Sequence, residues 1–250
     1  MLYNGIMPGS ILIGTSGFSY PHWRGVLYPE SLPQSRWLER YSEVFGTVEI
    51  NYSFYRLPKE STVAGWLDRT PEHFVFALKA SRVITHTRKL AETGEATRRF
   101  FTAVLPLGDK LGPVLFQLPP AESADPPRLG KFLAALPKDR RYAFEFRHAS
   151  WFTEDIYSIL KEHDAALVWH DYGHVEWPRA LTSSWIYLRL HGPSGRYAGE
   201  YGEQGLHPWT MVLNPRENRD IDAYIYFNND FEGCAVRDAV TLKEMVLGTA

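Results

Sequence analysis

The chain has 250 residues, 44% of them hydrophobic and 22% charged, with a formal net charge of −2. This is the composition of a globular protein with a sizeable core; no apolar run is long enough to cross a bilayer, and the charge gives no overall reason to bind nucleic acid or anionic lipid. A single cysteine, Cys234, excludes an internal disulfide, is read as structural, and suits a reducing, cytoplasmic setting. The opening MLYNGIMPGS lacks a basic head followed by an apolar stretch, so no secretory signal is expected.

Runs rich in β-branched and aromatic residues predict eight strands, at 11–16, 47–52, 74–80, 113–118, 142–147, 165–171, 185–191 and 223–228. Between the first two, Ser35 is placed to cap a helix with Trp37, Leu38, Tyr41 and Phe45 on one face. Further stripes follow: Phe100, Phe101, Val104 and Leu105, then Leu129, Phe132, Leu133 and Leu136, then Ile156, Ile159 and Leu160 behind Glu154 and Asp155 at the positive helix end. The interval 172–184 holds Gly173 and Pro178 and no clean stripe, so the sixth helix is expected to be short or irregular. Alternation of strand and helix implies parallel pairing, and eight repeats without a linker imply a single (β/α)8 TIM-type barrel domain spanning 1–250. The competing doubly wound sheet usually carries a glycine-rich phosphate turn, and GTSGFS is not GxGxxG.

Side chains two apart share a strand face. Val48 and Ile50 oppose Glu49 and Asn51; Phe76 and Leu78 oppose Ala77 and Lys79; Val114, Phe116 and Leu118 oppose Leu115 and Gln117. Phe144 and Phe146 oppose Glu145 and Arg147, Leu188 and Leu190 oppose Arg189 and His191, and Ile225 and Phe227 oppose Tyr226 and Asn228. The apolar parity is expected to face helices and the polar parity the barrel interior. Most of the polar residues come late in their strands, at the end where this fold builds its sites. Glu49, Glu145 and Asp171 balance Lys79, Arg147 and Arg189, so the set reads either as a ligand site or as an internal ion network.

The strings ILIGTSGFSYPHWRG, VEINYSFYRLP, FVFALKASRVITH, LGPVLFQLPP, YAFEFRHASWF, YLRLHG and AYIYFNND, in this order, resemble the YecE-like proteins, the domain-of-unknown-function family numbered 72. The resemblance covers nearly the whole chain and implies a TIM-type barrel without an assigned chemistry. It singles out Trp23, Glu49, Lys79, His86, Gln117, Glu145, Arg147, His148, Arg189, His191, Asn228 and Asn229. One departure is AVRDA at 235–239, where Asp238 replaces an expected asparagine and puts a helix-start contact in question.

Three chemistries fit these residues. The first is metal-independent acid/base catalysis on a small anionic, sugar- or phosphate-containing substrate, with Arg147 and Arg189 as clamps and Lys79 as a point charge. Catalytic roles then fall to Glu49, Lys79, Glu145, Asp171 and His191, with Glu49 favoured as base because Glu145 shares a face with Arg147. His191 is a second base, from its ordinary pKa. Substrate contacts fall to Trp23, Asn51, Tyr55, His86, Gln117, Arg147, His148, Arg189, Asn228 and Asn229. Trp23, Tyr55 and Trp151 read more readily as loop packing than as a stacking surface for a ring, and the glycine-rich stretch at 192–205 as a closing loop or an ordinary one. The second chemistry uses a divalent metal on Glu145, Asp171, His174 and His191, in a hydrolase, isomerase or nucleic-acid phosphodiesterase; Asp171 and His174 supply a DxxH spacing. The third is noncatalytic binding of an anionic ligand or nucleic acid, to which the basic stretch 84–90 would contribute.

Overall fold

The β-branched runs form short parallel strands separated by helices. The computed structural model describes residues 9–174, 177–194, 197–213 and 221–248. In chain order they form β1 (Ile11–Thr15), α1 (Trp37–Val44), β2 (Thr47–Ile50), α2 (Tyr52–Tyr55), α3 (Glu60–Asp68), β3 (Val75–Lys79), α4 (Gly94–Val104), β4 (Leu111–Gln117), α5 (Pro126–Ala134) and β5 (Tyr142–Glu145). There follow α6 (Glu154–Glu162), β6 (Ala166–Leu167), β7 (Trp169–His170), β8 (Trp185–Leu190), α7 (Gly202–Val212), β9 (Asp222–Phe227) and α8 (Cys234–Leu247). Ser35 does not cap α1. Gln34–Arg36 is a 3-10 turn whose C-cap is Trp37, and the Ser35 carbonyl accepts from Arg69 instead.

The strands pair as two parallel sheets, β2-β3-β4-β5-β6 and β1-β9-β8-β7. The fold is therefore α/β with parallel sheets, but its ladders do not run as the one closed ring expected from the sequence. At the β1/β2 seam the backbones approach closely: a Cβ on Gly14 would lie 2.2 Å from the Thr47 carbonyl oxygen. The Tyr41 hydroxyl from α1 occupies the ladder position there, accepting from Thr15 N at 2.9 Å and donating to Thr47 O at 3.0 Å. Beyond it Gly17 N donates to Glu49 O, and Ser16 bridges Glu49. At the other seam the expected strand 165–171 is two short pieces. Val168 N still donates to Phe144 O on the five-stranded side, whereas Trp169 and His170 pair with Leu188 and Arg189. The Thr182 hydroxyl satisfies the edge of β6, accepting from Leu167 N and donating to Ala165 O. Each seam thus has a buried hydroxyl where a ladder bond is missing, which meets the requirement that buried backbone groups be paired. The interval after β7 carries a short 3-10 turn, Tyr172–His174, in line with the irregular sixth interval.

The parity argument sorts the core. Val48, Phe76, Val114, Phe144, Leu188 and Ile225 join helix residues such as Trp37, Phe100, Leu129, Ile156 and Leu242 in one buried cluster. Each fully buried large side chain of this kind contributes about 1.5–3 kcal/mol. The opposite parity forms a second cluster drawn from both sheets, including Ala77, Leu115, Ala143, Val168, Tyr187 and Tyr226. Above that plug, at the C-terminal strand ends, the alternating positions become charged.

Candidate functional site at the strand ends

Arg189, near the end of β8, is 1% exposed and organises the cluster. Its Nε and Nη2 grip Glu49 of β2 at 2.9 and 2.7 Å, and its Nη1 reaches Glu145 of β5 at 2.5 Å. Ser16 Oγ and Tyr187 Oη donate to the two Glu49 oxygens at 2.6 and 2.7 Å. Arg147 donates from Nε to the remaining Glu145 oxygen at 2.6 Å, and its guanidinium lies 3.8 Å from the Tyr172 ring centroid.

This geometry reverses two expectations. Burial alone would raise the pKa of Glu49 and Glu145, but the guanidiniums outweigh it: Glu49 is held below its ordinary value and Glu145 well below. Glu49 is not the arginine-free carboxylate that the sequence spacing suggested, because Arg189 arrives from across the two sheets. A fully buried carboxylate with both oxygens occupied by donors is a poor base. Arg189 in turn has each of its three nitrogens committed to these acceptors, so it organises the carboxylates and is not a clamp for substrate.

His191 also departs from its expected role. Its Nε2 faces Arg189 Nη1 at 3.2 Å and Arg147 Nη2 at 3.4 Å; guanidinium N–H groups only donate, so Nε2 accepts and the proton sits on Nδ1. Nδ1 lies 3.4 Å from Asp171 Oδ1, too poorly aligned for a hydrogen bond, while His191 N donates to that oxygen at 2.7 Å. Burial pulls the imidazole down to about 4, so it is neutral near pH 7. Asp171 is further tied to the Tyr201 hydroxyl, which also accepts from Gly192 N.

Lys79 closes β3 and differs from the other cations. Its Nζ lies 4.5 Å from the Phe54 ring centroid, and among the described residues it has neither a hydrogen bond nor an ion pair. Burial lowers it to about 8, helped by Arg189 and Arg147 and opposed by Glu145 and Glu49. His86 sits edge-on to the same Phe54 ring at 4.9 Å, with Nδ1 2.9 Å from Thr85 Oγ1. Burial, then Lys79, Arg82 and Arg147, pull His86 to about 4.

The remaining candidates divide between rim and scaffold. Tyr55 is 74% exposed beside Phe54, and Asn51 Oδ1 is buried without a partner. Asn51 lines a cavity of about 360 Å³ with Tyr20, Tyr52 and Trp66. Asn228 follows β9 half-buried. Trp23 is fully buried, donates to Asp230 O and packs on Tyr20 and Tyr28, so it offers no face to a ligand. Trp151 likewise stacks on Phe146 and donates to Glu122 O. Gln117 donates to the adjacent Leu118 carbonyl, and His148 Nδ1 accepts from Ser150 N in the Ala149–Trp151 turn. Asn229 ties Gly199 O to Asp238. Asp238 itself accepts from Tyr201 N and Gly202 N, so the contact at the start of α7 is made by a carboxylate. Burial pushes the Cys234 thiol up, consistent with a structural role.

For the metal alternative, no group of three or more His, Cys, Asp or Glu among the described residues is arranged to hold an ion. Glu145 is occupied by two arginines, and the His174 side chain lies outside the described residues. The basic stretch 84–90 belongs to the π-helical turn Val83–Thr87 and to Lys89, which pairs with buried Glu122. A larger cavity, about 930 Å³, lies between α4 and α5 along Thr97, Phe101, Lys131 and Phe132, away from the charged cluster. Among the described residues no helix is long and apolar enough to cross a membrane. Sequence reasoning put Tyr187 on the inward parity with Arg189 and His191 without giving it a site role, and missed Ser16 and Tyr201, the latter present in the glycine-rich stretch after β8.

Comparison with known proteins places this arrangement. Residues 12–249 match the family described as Protein of unknown function DUF72. The chain belongs to this family. The UPF0759 protein YecE of Escherichia coli K12 is 31% identical over 145 residues, 58% of this chain, and the match spans about half, 51%, of that relative's length. The UPF0759 protein YunF of Bacillus subtilis is 26% identical over 253 aligned residues, covering 88% of this chain and 90% of YunF. A DUF72 family crystal structure from Thermotoga maritima superposes with a TM-score of 0.83 at 29% identity, covering 95% of this chain and 99% of that one. One from Enterococcus faecalis gives 0.81 at 21% identity over 96% of each, a likeness of fold. Family membership thus agrees with the resemblance carried by the seven motifs, and none of the names given above states a reaction.

Proposed function

We propose that the two sheets are halves of one (β/α)8 barrel domain. Its C-terminal mouth binds a small anionic, sugar- or phosphate-bearing substrate and acts on it by acid/base chemistry carried by side chains. The barrel reading is supported by the inner cluster shared between the sheets and by the Tyr41 and Thr182 hydroxyls that complete the seams. The functional reading rests on one observation: Lys79 is a half-buried ammonium that, among the described residues, has no counter-ion in a cluster whose other cations are paired.

An anion arriving beside Lys79 and Arg147 would supply the missing acceptor. With a pKa near 8, Lys79 can take or return a proton close to neutrality, which the buried carboxylates and His191 cannot. Arg189 and Glu49 hold the geometry, His86 lies as a neutral imidazole at the edge, and Tyr55 and Asn51 form the rim.

The test is a thermal-shift titration of the full chain with inorganic phosphate and with glucose 6-phosphate. Wild type is expected to gain a saturable rise in Tm, and Lys79→Met to need at least about tenfold more probe, the weight of one lost charge-assisted contact. Equal midpoints for the two proteins would remove Lys79 and this reading of the site.

A further inference from the structure

We infer that Lys79 is a covalent nucleophile: it captures the carbonyl of a small oxo-acid or sugar-phosphate substrate as an iminium. This rests on the reading of the mouth as an anion site and names the functional group that the anion carries.

The inference begins with what surrounds the amine. The stem runs out of β3, and Nζ stands over the face of Phe54, 4.5 Å from the ring centroid, a contact that attracts the cation weakly and offers no lone pair to accept from it. The charges facing it come from four other parts of the chain: Glu49 on β2, Glu145 on β5 with Arg147 just after it, Arg189 on β8, and His86 on the turn after β3. Both carboxylates point their oxygens at guanidiniums and leave Lys79 unpaired. Lysines become nucleophiles where burial and nearby cations, here Arg189 and Arg147, disfavour the ammonium form by more than a ring face favours it.

The other groups of the cluster are unsuited to this step. Glu49 and Glu145 have their oxygens occupied, Asp171 is held by Tyr201 and His191 N, and His191 is buried among arginines. Capture of a carbonyl also preserves charge. The ammonium sheds two protons in turn: the first freed lone pair forms the bond to the carbonyl carbon while the π pair moves to oxygen, and the second closes the C=N bond as the C–O bond breaks. The oxygen takes up both protons and leaves as water with the C–O pair, so one positive charge enters and one remains. Arg147 and Arg189 therefore do not oppose the product, while the nitrogen becomes an electron sink for bonds next to the captured carbon. Arg147, its guanidinium against Tyr172 and already engaged by Glu145, His191 and Tyr197, contributes positive charge toward the anionic end.

The experiment incubates the full chain with pyruvate, glyoxylate or dihydroxyacetone phosphate and cyanoborohydride, followed by intact mass and peptide mapping. Reductive trapping is expected at Lys79 at least tenfold faster than at exposed Lys138 or Lys161, rising with pH and levelling above about 8. Lys79→Arg has no amine able to form an iminium and is expected to lose the adduct, while phosphate binding is read separately from wild type against Lys79→Met. Labelling of Lys79 no faster than of Lys138 and Lys161 overturns the iminium. If phosphate still raises Tm in a Lys79-dependent way, the anion site stands and only the covalent step falls. If phosphate also has no effect, both readings fall.

Discussion

Two carboxylates and two guanidiniums at the strand ends form a chain of ion pairs in which each Glu145 oxygen serves a different arginine. Removing one member leaves the others buried and uncompensated, which costs more than the pair contributes when intact. Glu145→Gln is therefore expected to lose roughly 3–5 kcal/mol, read as a lower urea midpoint at pH 7. Lys79→Met should behave in the opposite way. It removes a charge that has no hydrogen bond or ion pair among the described residues and keeps an unbranched stem over Phe54, exchanging a weak cation–π contact for an apolar one, so stability is expected to stay within about 0.5 kcal/mol of wild type or to rise. Similar urea losses for the two variants would contradict the division between scaffold and site. The parity of the strands made this set of residues legible, because alternation decides which face each one takes. It could not show who pairs with whom: Arg189 crosses from β8 to β2, and that separation is set by the packing of two sheets, not by sequence spacing.

Among the elements, the seams depend on single hydroxyls. Tyr41 lies on the apolar stripe of α1 and reads from sequence as a core aromatic, which it is; its oxygen nevertheless completes the β1/β2 contact. Tyr41→Phe keeps the ring and strands Thr15 N and Thr47 O, with an expected loss of about 1–3 kcal/mol by chemical denaturation. Asp238 acts similarly at a helix end. Truncation to Ala leaves Tyr201 N and Gly202 N without their acceptor, and Tyr201 is the residue whose hydroxyl reaches Asp171. Helical intervals with a clean stripe, such as α4, α5 and α6, were predictable from periodicity. The division of the 165–171 strand was not, because it arises where the chain passes from one sheet partner to the other at Val168.

For the molecule as a whole, the buried titrating groups fix the response to acid. His86 and His191 are pulled from 6.5 to about 4, and His170 is lowered as well, each chiefly by burial. Their unfolded forms take up protons first, so stability is expected to fall as pH drops from about 6.5 toward 4, by at most ~1.4 kcal/mol per pH unit per group. The depressed carboxylates behave differently: the stability from Glu49 and Glu145 is full above their unfolded pKa and is lost only as pH falls through their lower folded values. Urea midpoints measured between pH 7 and 4 should decline steadily, and a flat profile would contradict the neutral, buried state of these imidazoles.

Arg189 lies on one sheet and Glu49 and Glu145 on the other, so the three side chains beneath the proposed ligand site also fasten the two sheets together. Function and cohesion then share one clasp. A treatment that unlatches it should erase binding competence and native shape in a single event, and partial inactivation with the architecture preserved should require damage at Lys79 or the rim.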